Sequence, residues 1–433
     1  MRLTQFVFIA LSIFIFSFGK TKAQSTYYPP TSQMAFWDTV SPKALGWCTD
    51  SIRPLYQYLQ NMNSKAFILL VDGKIALEKY FGTFTKDSVW YWASAGKTLT
   101  AFLVGKAQQE GKLKLSDRTS DYLGAGWSSL TTTQENAITI KNQITMTSGL
   151  DDGVPDNHCT DKSCLIYKAD AGTRWAYHNA PYTMLDKVIE TATGVNLNTY
   201  TQQKISAQTG INGLWFKSGY DNVFASKARN FARWGLLAQN GFRWNGVSLI
   251  DTAFARQSVN TSQNLNLSYG YLWWLNGKKS FMVPTLQTVF PGNMIPFAPN
   301  DCFSAIGKNA QIASISPSRK IVWVRMGDAP GGVLDEVPFM LADKVWKYIN
   351  SLICNNTGLQ NLTQAEFRVY PNPVHEKLNV NRSGIYRIAD AGGRILKTAT
   401  VVAYEGISTG GLKPGTYFLL AENGQAVKFT KQP

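Results

Sequence analysis

The chain has 433 residues, 44% of them hydrophobic and 13% aromatic, which is enough apolar material for a large core and excludes a disordered protein. Its formal net charge of +15 is spread along the sequence, with no lysine- or arginine-rich block of the kind that grips nucleic acid. Beyond the N-terminal segment no apolar run reaches the ~20 residues that a membrane-spanning helix needs.

The first 23 residues read as a secretory signal peptide, with Arg2 as the charged end, an apolar run from Phe6 to Gly19 and cleavage after Ala23. Roughly 410 residues then remain, more than one ordinary core fills, so two domains are expected. Residues 42–60 pattern as a helix. AFILLVDG and KIALEKYFG read as two strands meeting at Asp72-Gly73, a favoured hairpin turn. A helix carrying Ser94 follows and ends near Gly111. The middle of the chain mixes helical stretches with loops: YTMLDKVIETATG stops at Gly194 and SKARNFARWGLLAQNG stops at Gly241. Strands return at 311–316 and 320–327, and a helix is expected over 334–353.

This order implies an α+β domain over 24–354, one antiparallel sheet assembled from both ends of the domain, flanked by helices and carrying an inserted helical region. The texture changes at 355–366, which is polar and turn-rich and reads as a linker. Short strand-like pieces over 367–433 then predict a small β-sandwich. Of five cysteines, Cys159 and Cys164 flank a short loop and could bridge, and Cys48 could meet Cys354 if their helices pack. His158 beside Cys159 and Cys164 fits no standard zinc spacing, so no metal site is expected there.

Ser94-Ala95-Gly96-Lys97 carries the chemistry. Placed at the first turn of a helix, the hydroxyl and amine share one face, so a neutral lysine could take the serine proton without any histidine. The serine N–H at the helix start would face a developing oxyanion. A second copy, Ser17-Phe18-Gly19-Lys20, lies in the leader and is inert. Gly406-Ile407-Ser408-Thr409-Gly410 has the letters of a nucleophile elbow, but it sits in the small β-module with no histidine after it. Only His158, His178 and His375 occur, which supports neither an H-E-x-x-H metal site nor a spread three-histidine catalytic zinc site. Trp90, Trp92, Trp175, Trp273 and Trp274 lie around the proposed site elements and could be core or cleft.

Taken in order, Ser94-x-x-Lys97, ITIKNQITMTSGL, Tyr177-His178-Asn179, FARWGLLAQNG and YGYLWW resemble the serine β-lactamase and penicillin-binding-protein-like hydrolases, particularly the class C-like branch with esterases and 6-aminohexanoate-dimer hydrolases. The resemblance covers roughly residues 40–350. It implies Ser94 as the acylated nucleophile, Lys97 as its proton acceptor, and Tyr177 as a proton shuttle whose pKa a cationic Lys97 lowers. Asn179 would bind substrate or the lysine. The family's K-T-G strand triplet is matched here with Lys308-Asn309-Ala310, where Ala310 would crowd a peptide-like ligand, and the N–H of Gln311 would be the second oxyanion donor. Further on, VYPNPV, IYRIADAGGRIL and GLKPGTYFLL are similar to the C-terminal sorting domain of the type IX secretion system, with an adhesion or carbohydrate-binding sandwich as the alternative.

The expectation is therefore an exported serine hydrolase acting on a small ester or amide, secreted or held at the outer-membrane surface, with the secretion machinery as partner and without cofactor or metal. A D-Ala-D-Ala carboxypeptidase or β-lactamase is the nearest alternative, and a non-catalytic penicillin-binding-like receptor or adhesin the more distant one.

Overall fold

Val, Ile, Leu and Phe crowd the strand at Ser64–Val71 (β1), and its hairpin partner Lys74–Tyr80 (β2) returns through Asp72 and Gly73, whose φ values of 49° and 85° give the turn its left-handed twist. The other strands of the same sheet come from late in the chain: Trp274–Leu275 (β3), Phe303–Gly307 (β4), Gln311–Ser316 (β5) and Ile321–Gly327 (β6). Their order is β2-β1-β6-β5-β4-β3, each neighbour antiparallel, so β1 pairs directly with β6 across more than 250 residues. The computed structural model describes residues 26–32, 34–331, 338–354, 369–381, 383–390, 394–402, 405–421 and 426–433. The expected leader and linker lie outside the described residues.

Every residue of β5 and β6 is buried, because helices cover both faces of the sheet. Ala228–Gln239 (α3) packs across β1, β6 and β5 on one face, close enough that a Cβ on Gly235 would come 2.4 Å from Val322. On the opposite face Ile52–Asn61 (α1) and Pro338–Leu352 (α4) lie together, and Trp346 meets Trp323 with ring centroids 6.3 Å apart. The helix expected over 42–60 starts only after the turn at Thr49–Ser51, since Pro42 and a left-handed Gly46 hold the preceding residues in turns. The last helix is described from Pro338, and its expected start at 334 lies outside the described residues.

A second, three-stranded sheet (Val89–Tyr91, Leu214–Ser218, Asp221–Lys227) was not foreseen, and it takes Ser226 and Lys227, which pattern as helix, into its central strand. Two disulfides form, Cys48–Cys354 and Cys159–Cys164, leaving Cys302 buried as a thiol. The C-terminal strands form a three-stranded and a four-stranded sheet, which share one separate core of Leu378, Val380, Ile388, Ile407, Leu419 and Phe429. That is the expected sandwich.

Candidate active site

Ser94 does not stand on the first turn of an α-helix. It lies in a tight 3-10 turn, Ala93–Gly96, which feeds the helix Lys97–Gln109 (α2). Ala93 enters this turn at φ 48°, a left-handed conformation that a residue with a side chain adopts only when its surroundings enforce it. Enforcement comes from below: Trp92 N–H donates to Phe224 O at 2.7 Å, and its indole Nε1 donates to Ser226 Oγ at 2.9 Å. The turn thereby lifts Ser94 to a half-buried position while Lys97 sinks to 4% exposure.

Lys97 Nζ reaches back and donates to Ser94 Oγ at 3.0 Å. Its ammonium lies 4.1 Å from the centroid of the Tyr182 ring and 5.4 Å from that of Tyr177. Burial strips it of water and lowers its pKa to about 8, against the opposing pull of the Asp221 and Asp186 charges. A substantial fraction is thus the neutral amine near pH 8, which is the form able to accept a proton.

Tyr177 is buried with its phenol near Ser94, its ring stacked on Trp274 at a centroid distance of 5.5 Å. Its phenol behaves opposite to expectation. Burial raises its pKa well above the ordinary tyrosine value, the nearby Ser94 hydroxyl offsets only part of this, and the negative charge of Asp221 adds to the rise. The cation over the ring does not produce a phenolate. Tyr177 is a protonated hydroxyl here, suited to passing a proton rather than storing negative charge.

Asn179 opens the short helix Asn179–Thr183. Its Nδ2 donates to Asn157 Oδ1 at 2.9 Å and lies 3.2 Å from His158 Nε2, and its buried Oδ1 has no hydrogen-bond partner among the described residues. His178, between Tyr177 and Asn179, is buried with neither ring nitrogen hydrogen-bonded there, and burial lowers its pKa to about 4. It is neutral at physiological pH, and its ring makes no hydrogen bond to any of the described residues, Ser94 and Lys97 included.

The third sequence element is displaced. Lys308, Asn309 and Ala310 do not lie along the strand but form the hairpin turn between β4 and β5, with Asn309 and Ala310 at φ 60° and 54°. Lys308 is exposed, Asn309 Nδ2 donates to Tyr91 Oη at 2.7 Å, and Ala310 is fully buried rather than facing a cleft. Gln311 is also fully buried, its side chain donating to Gly327 O at 2.6 Å and accepting from Gly327 N at 3.1 Å, so it ties β5 to β6. The residue against the Ala93–Gly96 turn is Gly307, where a Cβ would come 2.9 Å from Ser94 N and 2.5 Å from Trp92 O. Its neighbours on the strand are Ala305 and Ile306, both buried. A left-handed asparagine after Ile306-Gly307 was the missed signal, since it marks a hairpin turn and so places a strand before it.

The five tryptophans resolve mainly as core: Trp92, Trp175, Trp273 and Trp274 are buried and Trp90 is partly so, with Trp274 forming the wall behind Tyr177. No cluster of three or more His, Cys, Asp or Glu side chains able to hold a metal occurs among the described residues. Ser408, the serine of the elbow-like pentapeptide, lies at the end of a strand of the C-terminal sandwich rather than at a strand-to-helix turn.

The Beta-lactamase family matches residues 56–331, well over half of the chain, and the chain belongs to this β-lactamase and penicillin-binding-protein-like family of serine hydrolases. Residues 368–432 match the Secretion system C-terminal sorting domain, which the chain carries at its end. Over 158 residues it is 28% identical to a beta-lactamase of Escherichia coli strain K12, an alignment covering 35% of this chain and 39% of that protein. The chain therefore spans less than half the length of that relative. Among solved structures, a candidate 6-aminohexanoate-dimer hydrolase from Bacillus anthracis superposes with a TM-score of 0.58 at 18% identity, covering 76% of this chain and 91% of that one. A candidate beta-lactamase from Bacteroides dorei gives a TM-score of 0.56 at 15% identity, over 71% of this chain and 99% of that one. At these identities the likeness speaks for the fold alone.

Proposed function

We propose that the protein is an exported acyl-enzyme hydrolase that cleaves a small ester or amide through Ser94, with Lys97 and Tyr177 moving the protons. The observation that carries this reading is the desolvated Lys97 amine 3.0 Å from a half-buried Ser94 hydroxyl. Neutral Lys97 takes the hydroxyl proton as Ser94 Oγ attacks the substrate carbonyl. The oxyanion forms at the backbone N–H of Ser94, with the N–H of Lys308 as the second donor in place of Gln311. What supports Lys308 is alternation along β4, which extends to its N–H because Gly307 is still extended at φ −131° and ψ 166°. Cys302 and Lys308 have the same parity, and Cys302 O accepts from Asn276 N on the outer side of β4 at 2.8 Å, the side away from β5. Tyr177, still protonated, relays the proton from Lys97 to the leaving group, and water then hydrolyses the acyl-serine by the reverse relay.

Ester or amide substrates are favoured over β-lactams because Ala305 and Ile306, just ahead of Gly307 where β4 meets the Ser94 turn, bring no cation or hydroxyl to bind a substrate carboxylate, and Lys308 comes only beyond it in the hairpin turn. This replaces the expected crowding by Ala310, which is buried in the turn. Asn179 Oδ1, a buried acceptor without a partner among the described residues, fits a substrate N–H. The sorting domain supports export through the type IX machinery to the cell surface or medium. Purified protein offered short-chain aryl esters, a linear amide, a chromogenic cephalosporin and a D-Ala-D-Ala peptide should turn over the first two in a Ser94-dependent manner. Preferential release of D-Ala or opening of the cephalosporin would move the assignment to a carboxypeptidase or β-lactamase.

A further inference from the structure

The hairpin Leu214–Ser218 and Asp221–Lys227 is docked against the loop closed by Cys159–Cys164. Tyr220 Oη donates to Asp161 Oδ2 at 2.6 Å, and His158 Nδ1 lies 2.6 Å from Asp221 Oδ2. Asn179 Nδ2, which has only hydrogens to give, lies 3.2 Å from His158 Nε2, so Nε2 accepts and Nδ1 carries the hydrogen donated to the carboxylate. From the other side Thr183 Oγ1 donates to Asp221 Oδ1 at 2.9 Å. Asp221 is thus gripped by one donor on each oxygen. The strand it opens runs straight beneath the nucleophile turn, with Ala225 paired to Tyr91 and Phe224 O bonded to Trp92 N.

We propose that Asp221 is the counter-charge of Lys97, a positioning residue presented to the base by His158 of the disulfide-closed loop and by Thr183. The proposal rests on the reading of Ser94 and Lys97 as nucleophile and base. Neither carboxylate near Lys97 forms a direct ion pair with it; Asp221 is placed by Thr183, the neighbour of the Tyr182 whose ring lies 4.1 Å from the Lys97 ammonium, and Asp186 follows in the next helix, and the two differ. Asp186 is fully buried, and burial lifts its pKa to about 7 although Asn222 Nδ2 donates to it at 2.8 Å, so near neutrality it is only partly charged. Asp221 is also penalised by burial, but the His158 hydrogen bond and the Lys97 charge outweigh this and keep it below the ordinary carboxylate value. The other groups facing Lys97 are the Tyr177 and Tyr182 phenols, both protonated, and the Ser94 hydroxyl. Lys217 and Glu190 act on Asp186 from further out. Asp221 is therefore the standing anion that keeps a desolvated lysine basic enough to take the Ser94 proton, and it stabilises the ammonium that results.

The test is the pH dependence of kcat/KM on an aryl ester for wild type, Asp221→Asn and Thr183→Val. Lys97 must be neutral to act, so the acidic limb marks its deprotonation, and removing a negative neighbour should move that limb to lower pH by about one unit or more. Thr183→Val removes a hydrogen bond to the carboxylate without removing its charge and should leave the limb in place, whatever it does to the rate. An unmoved limb in Asp221→Asn, or an equal displacement in both variants, would overturn the proposal. If Ser94→Ala kept full turnover, the serine reading would fail instead. Asp221 would then be judged by 13C NMR of lysine Cε in the same proteins, with the Lys97 signal assigned through Lys97→Met: titration at lower pH in Asp221→Asn supports it, and unchanged titration refutes it.

Discussion

At the scale of single residues the site is a contest between burial and charge around Lys97. Burial wins in part and brings the amine to about 8, so the fraction of neutral base increases as pH rises through that value. The activity should therefore rise through about pH 8, and His178, which loses its proton around pH 4, should add no step of its own near neutrality. Lys97→Met and Tyr177→Phe should each lower kcat by ~10²–10⁴ with folding retained, and His178→Ala by far less. If His178→Ala proved as damaging as Lys97→Met, a histidine would have to enter the mechanism. That Ser94 and Lys97 face each other could be read from their three-residue spacing, and the structure adds the Tyr177 ring 5.4 Å from the Lys97 ammonium. The Tyr177 pKa could not, because its sign depends on enclosure by Trp274 and Tyr269, residues almost a hundred positions away. The setting of Asp221 escapes a sequence reading for the same reason: its partners His158 and Thr183 come from two other segments of the chain.

At the scale of elements, the decisive contact is a strand edge laid against a turn. β4 approaches the Ala93–Gly96 turn so closely that only glycine fits at 307, since an added Cβ would meet three backbone atoms at 2.5–2.9 Å. Backbone cannot rotate away as a side chain can. Gly307→Ala should push the strand off the nucleophile and cost about 10²-fold in kcat, on the scale of a ~1 Å misplacement, with a smaller effect on KM. A variant with wild-type kcat would show that β4 does not set the geometry of the oxyanion site. The buried Arg325 reinforces the following turn, donating to Asn309 O and Ala310 O at 2.8 Å each. Sequence patterning gave β1, β2, β5 and β6 because their apolar runs are long. It missed β4 because FSAIG is short and was read as the lead-in to a Lys308 triplet. It also missed the strand Asp221–Lys227, whose helical-looking tail SK belongs to the sheet.

At the scale of the whole molecule, the described residues hold a large core with a small satellite cluster in the hydrolase, and a separate core within the C-terminal sandwich. Their separation was legible from composition alone, since the polar stretch at 355–366 interrupts the apolar pattern, although that stretch lies outside the described residues. The Cys48–Cys354 bridge closes the hydrolase on itself over a separation of 306 residues, just before the polar stretch begins. A protein ending at Asn356 keeps this bridge and the whole first core, so it should fold and retain its esterase-type activity while losing export in the native host. Activity lost with export intact would mean that the sandwich completes the active site and is no address.

The central claim is that Ser94 becomes acylated because Lys97 removes its proton. Intact-mass and peptide-mapping analysis after exposure to a fluorophosphonate tests it most directly, in wild type and in Lys97→Met. The account predicts a single adduct on Ser94 that forms much more slowly in Lys97→Met. An adduct on Ser408, or no adduct on correctly folded wild-type protein, would contradict it.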